Sequence, residues 1–213
     1  MSVMGAWVIG AVPDEGIREL LRTAVRTAPP TPPPVRTGVS EGLARWRRSA
    51  QEPLFSARPG VPGQWTADEA FRLSAFLDGC HDDSGPVEAL RDAVVDHFPP
   101  DGEGLFAVSA RKASPFSALA YAIGPDAVLQ LPGWFGDFLL DSGEVRDRLP
   151  AAEEALGLTG SRRREAVERI RAWMTGLGDD PDHDADKLLD GPLRVLRHAA
   201  RTGRGAAGQV RWY

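Results

Sequence analysis

Residues 3–12, Val-Met-Gly-Ala-Trp-Val-Ile-Gly-Ala-Val, are a near-continuous apolar run that Pro13-Asp14-Glu15 closes. A run of this length and composition reads as a central strand with both faces covered, which commits the chain to building layers around it. It has no basic n-region, so it does not read as a signal peptide. Pro13 and Asp14 then open a helix through about Thr27, with Ile17, Leu20, Leu21 and Val25 as its apolar stripe.

The next helices and strands are marked by their punctuation. Pro29-Pro30-Thr31-Pro32-Pro33-Pro34 cannot continue a helix and reads as extended polyproline, either a stiff spacer or a PxxP ligand. Ser40–Ala50 patterns as a short helix with Leu43 and Trp46 inward, and the Pro/Gly-rich stretch 53–64 as a surface loop. Thr66-Ala-Asp-Glu69 spells a capping box for a helix ending at Gly79 that buries Phe71, Leu73, Phe76 and Leu77. Helices follow from about Ser84, from Ser114-Pro115, from Asp141-Ser-Gly-Glu144 and from Ser161. Two short ones are expected near 183–189 and 192–202. Leu105–Ala110 and Gln209–Tyr213 pattern as strands. Strands at the start, middle and end with helices between them imply an α+β fold, mostly helical, whose small central sheet includes the N- and C-terminal strands. The simplest organisation is one domain over 1–213 with an irregular Pro-rich excursion at 28–64.

Bulk properties narrow the function classes. The chain of 213 residues is long enough to bury a core without staples, and its single cysteine, Cys80, excludes an internal disulfide. No apolar run is long enough to span a bilayer, so the expectation is a cytoplasmic protein without a membrane partner. A net charge of −5 argues against nucleic acid as the main partner. Lys112 and Lys187 are the only lysines among 25 cations, a bias typical of high-GC actinobacterial coding that carries no mechanism.

Several motifs compete with plainer readings. Gly203-Arg-Gly-Ala-Ala-Gly208 spells a dinucleotide fingerprint, but a helix precedes it where the chemistry needs a strand, so it reads as a helix stop. Ser109-Ala-Arg-Lys112 spells a serine–lysine pair, yet sits at a strand end instead of one turn apart on a helix. Asp180, Asp182, Asp184 and Asp186 alternate, with His183 among them, as hard oxygen ligands would for Ca²⁺ or Mg²⁺, the first three being the metal candidates; without the glycine and glutamate of an EF-hand loop they also read as an acidic helix start. Cys80-His81-Asp82-Asp83 gathers a thiol, an imidazole and two carboxylates past a helix end, the densest reactive cluster in the chain; it reads as a solvated helix-terminal loop or supplies Cys80, His81 and Asp82 as catalytic candidates. Arg162, Arg163, Arg164, Arg169 and Arg171 are either a phosphate-binding face or a solvated one paired with Glu165 and Glu168. Trp134 and Phe135 between Gly133 and Gly136 imply a tight turn that inserts rings into a ligand pocket or into the core. No cofactor motif is present.

The opening Met4-Gly5 strand, the helix Glu15-Gly-Ile-Arg-Glu-Leu-Leu21, the helix entry Phe138-Leu-Leu-Asp-Ser-Gly-Glu-Val145 and the final helix Leu193–Gly203 before a closing strand resemble the YfbM-like family of uncharacterised bacterial proteins. That resemblance covers about a third of the chain and implies a small α+β fold. It supplies no active residues. With no convergent catalytic set, the residues favour a non-enzymatic interaction or accessory protein that binds another protein. The alternative is a small-molecule enzyme or ligand-binding protein with a pocket near Trp134 and the Cys80-His81-Asp82 cluster.

Overall fold

The computed structural model describes residues 4–27, 38–50, 52–57, 65–81, 85–179 and 184–213. The elements run β1 (Met4–Val12), α1 (Asp14–Thr27), α2 (Val39–Ser49), β2 (Ser56–Ala57), β3 (Trp65–Thr66), α3 (Asp68–Asp78), α4 (Gly85–Val95), β4 (Leu105–Arg111), α5 (Pro115–Ile123), α6 (Pro125–Val128), β5 (Phe138–Leu140), α7 (Ser142–Leu156), α8 (Gly160–Gly176), α9 (Ala185–Thr202) and β6 (Gly205–Trp212). The fold is α+β and mostly helical. Four antiparallel strands lie in the order β4-β1-β6-β5, so the first and last strands are the central neighbours, as their apolar composition requires. β2 and β3 form a separate small pair. Among the described residues no helix is long and apolar enough to cross a membrane.

Strand alternation splits the sheet into two faces. Trp7, Ile9 and Ala11 of β1, Phe106 and Ala110 of β4 and Ala206 and Val210 of β6 face the larger core, which α5, α7 and α9 cover and α8 backs. At its centre the Trp7 ring meets Phe106 and Phe116 edge-on, both at 5.2 Å. On the opposite face Val12 and Ala207 pack under Ile17 and Leu20 of α1 and Val94 of α4.

Local capping signals hold at three helix ends. The Asp141 side chain accepts from the Gly143 and Glu144 amides, and Glu144 returns the bond to the Asp141 amide. Ser114 caps α5 through the Ser117 amide, and Gly203, at φ +64°, ends α9.

Four expectations are corrected. Thr66 belongs to β3, so the capping box it spells with Glu69 does not form, and Ala67 stands at the N-cap of α3 without a side-chain bond. Phe71 is 62% exposed, on the opposite side of α3 from Leu73 and Leu77. The apolar segment 131–140 contributes a fourth strand, β5, which the glycines had hidden. Gly191-Pro192 does not divide α9. Both residues are buried, and the Phe106 ring lies where a Cβ at Gly191 would be (2.1 Å away), so packing against the sheet sustains the helix across its weak point.

Candidate functional site

The glycine-flanked turn is the hub of one half of the molecule. Phe135 and Gly136 both adopt positive φ, at +48° and +95°, and the Trp134 and Asp137 backbones exchange hydrogen bonds of 2.9 and 3.0 Å across them. Two successive left-handed residues make the tight hairpin turn whose twist matches antiparallel strands. The turn parts its aromatic rings. Phe135 is 5% exposed and enters the core against Phe76 at 6.0 Å, whereas Trp134 stays 45% exposed and its indole N–H donates to the Cys80 carbonyl at 3.1 Å.

Asp137, the residue after the turn, ties together three distant segments. Its Oδ1 accepts the Val210 amide of β6 at 2.8 Å. Its Oδ2 accepts from Arg91 Nη2 of α4 at 2.8 Å and from His81 Nδ1 at 3.0 Å. The Arg91 and His81 side chains are each only 7% exposed. Burial pushes the Asp137 carboxyl up, but the His81, Arg91 and Val210 hydrogen bonds outweigh it and hold the group below the ordinary aspartate range. Arg91 also donates to Glu88 at 2.6 Å, and Arg211 of β6 reaches both Glu88 and Asp92, so the cluster continues to the surface along α4.

The 80–82 turn is thus partly brought to a site and partly not. Cys80 is buried with its thiol donating to the Phe76 carbonyl at 3.2 Å, while the His81 ring turns the other way to Asp137. Neighbouring side chains diverge, and the thiol and imidazole do not form a nucleophile–base pair. Asp82 lies outside the described residues. The His81–Asp137 pair has the geometry that orients an imidazole for proton transfer, but the same carboxylate oxygen is shared with Arg91, and the arrangement works as a clamp.

A second feature lies beyond the Phe135 ring. Phe76 stacks edge-on between Phe135 and Trp46, the latter at 6.3 Å, and its ring sits against Gly42, where a Cβ would be 2.2 Å away. Beside this contact α2 and α3 leave a cleft of about 280 Å³ between them, with Gly42 among its lining residues. Trp46, Leu54, Leu73, Phe76 and Tyr121 make its apolar walls, and Glu41, Arg45, Glu52, Glu69 and Arg72 its charged rim. Arg72 is paired with Glu69. Arg169 fixes the base: it donates to the Tyr121 and Ala50 carbonyls and lies 4.1 Å over the Tyr121 ring. A wider depression of about 470 Å³ opens beside Gly124, but two of its arginines are already engaged, Arg47 by Asp126 and Arg169 by those carbonyls.

The remaining candidates take structural places. Asp184 is the N-cap of α9, accepting the Lys187 amide at 3.2 Å, while Asp180 and Asp182 lie outside the described residues. Among the described residues no three His, Cys, Asp or Glu side chains are grouped to hold a metal ion. The arginine helix α8 is not one basic face. Arg163 is gripped by Asp186 and Asp190 of α9, and Arg169 turns inward to its carbonyls. Asp137 and Arg91 escaped the sequence reading. The usable signal was that Asp137 is the lone charge between Leu131 and Leu140, where nothing but a buried partner would retain it.

No family model matches the chain, and no curated protein or solved structure is significantly similar to it.

Proposed function

We propose that this chain is a non-enzymatic binding protein that docks a partner protein in the cleft between α2 and α3. The observation that carries this reading is the cleft itself, with aromatic and leucine walls ringed by charge. That is the anatomy of a hot-spot pocket, which takes one large anchor side chain and excludes water at its rim. At about 280 Å³ it falls just below the usual range of small-molecule sites, roughly 300–1,000 Å³, and suits a protruding side chain better than a cofactor-sized ligand. Three carboxylates and two guanidiniums stand on the rim, so the partner segment is one that sets a basic residue beside its apolar anchor.

Co-expression with the products of adjacent genes, followed by size-exclusion chromatography, tests the reading. Ser49→Trp fills the cleft from α2 and should weaken a co-eluting complex by about 30-fold, the loss of an anchor worth ~2 kcal/mol. Arg146→Ala on the exposed side of α7 should leave it intact. A wild-type chain that elutes apart from every neighbour's product, or a Ser49→Trp chain that binds as well as wild type, overturns it.

A second reading, a small-molecule site at Trp134 and the 80–82 turn, draws on the His81–Asp137 pair and the exposed Trp134 ring beside it. Ligand-dependent quenching of tryptophan fluorescence that Trp134→Phe abolishes would favour it over protein docking.

A further inference from the structure

We infer that β4 is a dimerisation edge, where a second copy of this chain adds its own β4 in antiparallel alignment about a two-fold axis through Val108. The inference starts from which way the backbone groups of the sheet point. Met4 exchanges both backbone bonds with Tyr213, at 3.0 and 2.9 Å, so Met4, Ala6, Val8 and Gly10 turn their amides and carbonyls toward β6. The alternate residues of β1 therefore serve β4, as the Ala11 amide does in donating to the Gly104 carbonyl at 2.8 Å. By register these are Gly5, Trp7 and Ile9, whose partners are Ala110, Val108 and Phe106. Ala107 and Ser109 must then aim their own amides and carbonyls away from the sheet.

β4 is the first strand in the sheet order, and both Ala107 and Ser109 are exposed. The start of the strand is finished off: the Leu105 amide donates to Gly102, and Arg194 caps the Leu105 carbonyl at 2.8 Å. The middle is not. It lacks the devices that blunt an edge, with no proline, bulge or lysine at 107–109 and only small side chains over it.

The strand is also complementary to itself. A two-fold axis at Val108 pairs Ala107 of each copy with Ser109 of the other, giving four backbone hydrogen bonds, and sets the two Val108 side chains opposite each other as a non-hydrogen-bonded pair. Asp101 and Glu103 precede the strand, and Arg111 and Lys112 follow it. Antiparallel pairing lays the basic end of each copy against the acidic end of the other. Arg111, Lys112 and Asp101 have no ion-pair partner among the described residues, and Glu103 already joins Arg201 and His198. Symmetry supplies this match from a second copy, whereas a foreign strand would need the same gradient by chance. The surface is separate from the α2–α3 cleft and does not depend on it.

Sedimentation equilibrium of the full chain up to about 100 μM should show a monomer–dimer equilibrium, the affinity range of a small interface. Ala107→Pro removes only an outward-facing amide and should raise the dissociation constant by about tenfold or more without lowering the melting temperature appreciably. Val108→Cys reads the register independently, since Cα atoms of a non-hydrogen-bonded pair lie about 4.5 Å apart, within the roughly 4.4–6.8 Å a disulfide needs. Under mild diamide oxidation it should cross-link to a dimer far faster than Phe71→Cys, at an exposed position of α3. A wild type that stays monomeric throughout, or a Val108→Cys chain that cross-links no faster than the control, overturns the inference. So does binding of an unrelated strand peptide to a monomeric wild type.

Discussion

Two arginine–carboxylate clusters each join distant elements of this molecule, and they differ in depth. Arg163 meets Asp186 at 2.6 Å and Asp190 at 2.8 Å with its side chain 29% exposed and the acids at 50% and 62%. Arg91 meets Asp137 at the same sort of distance, but its side chain is 7% exposed and its carboxylate partner also carries a strand amide and an imidazole. The distances are alike, yet the free energies are not. In the exposed cluster water screens the attraction and solvates either partner when it is released. In the buried one the partners are withdrawn from water, so losing one leaves the others poorly solvated.

The sharpest way to break this comparison is Asp137→Ala. It removes one carboxylate partner of Arg91 and unpairs His81 Nδ1 and the Val210 amide, and it should lower stability by about 3 kcal/mol in urea unfolding. A value near 1 kcal/mol would mean that the buried cluster is no stronger than the exposed one. Acid titration sharpens the same contrast. Because the folded carboxyl of Asp137 lies below its unfolded value of about 3.9, its contribution is complete above that pH and is lost as pH falls through the lower folded value. Stability measured from pH 6 downward should therefore fall steeply below about pH 4, and Asp137→Asn should flatten that limb. The smallest effect is expected from Arg163→Ala: about 1 kcal/mol or less, and shrinking further in 1 M salt as the Debye length drops to about 3 Å. A salt-insensitive loss of several kcal/mol there would sink the distinction.

The two clusters were unequally legible. The exposed one could be sensed, because arginines with interleaved glutamates on a helix already read as a paired face; only the partners, on α9, were out of reach. The buried one left a fainter trace, a single aspartate in an apolar stretch. Its partners sit 46, 56 and 73 residues away in the chain, and no periodicity connects them. The 133–137 turn lay between these cases. Gly-Trp-Phe-Gly carries its own backbone chemistry, so a tight turn could be expected, but which ring would be buried depended on where Phe76 and Cys80 came to lie. The cleft was invisible for the same reason, since Gly42 matters only because the Phe76 ring rests on it.

The sequence by itself determined the α+β class, the terminal strands, most helix boundaries and the caps at Ser114, Asp141 and Gly203. Those features come from hydrogen bonds and apolar periodicities within a few residues, where the chain's own spacing fixes the geometry. Only the tertiary structure decided that α9 runs through Gly191-Pro192, that β5 pairs with β6, that Asp137 clamps three segments and that α2 and α3 leave a cleft. In each case the deciding contact joins residues far apart in the chain. Its free energy comes from burial and desolvation, which exist only once the layers have packed.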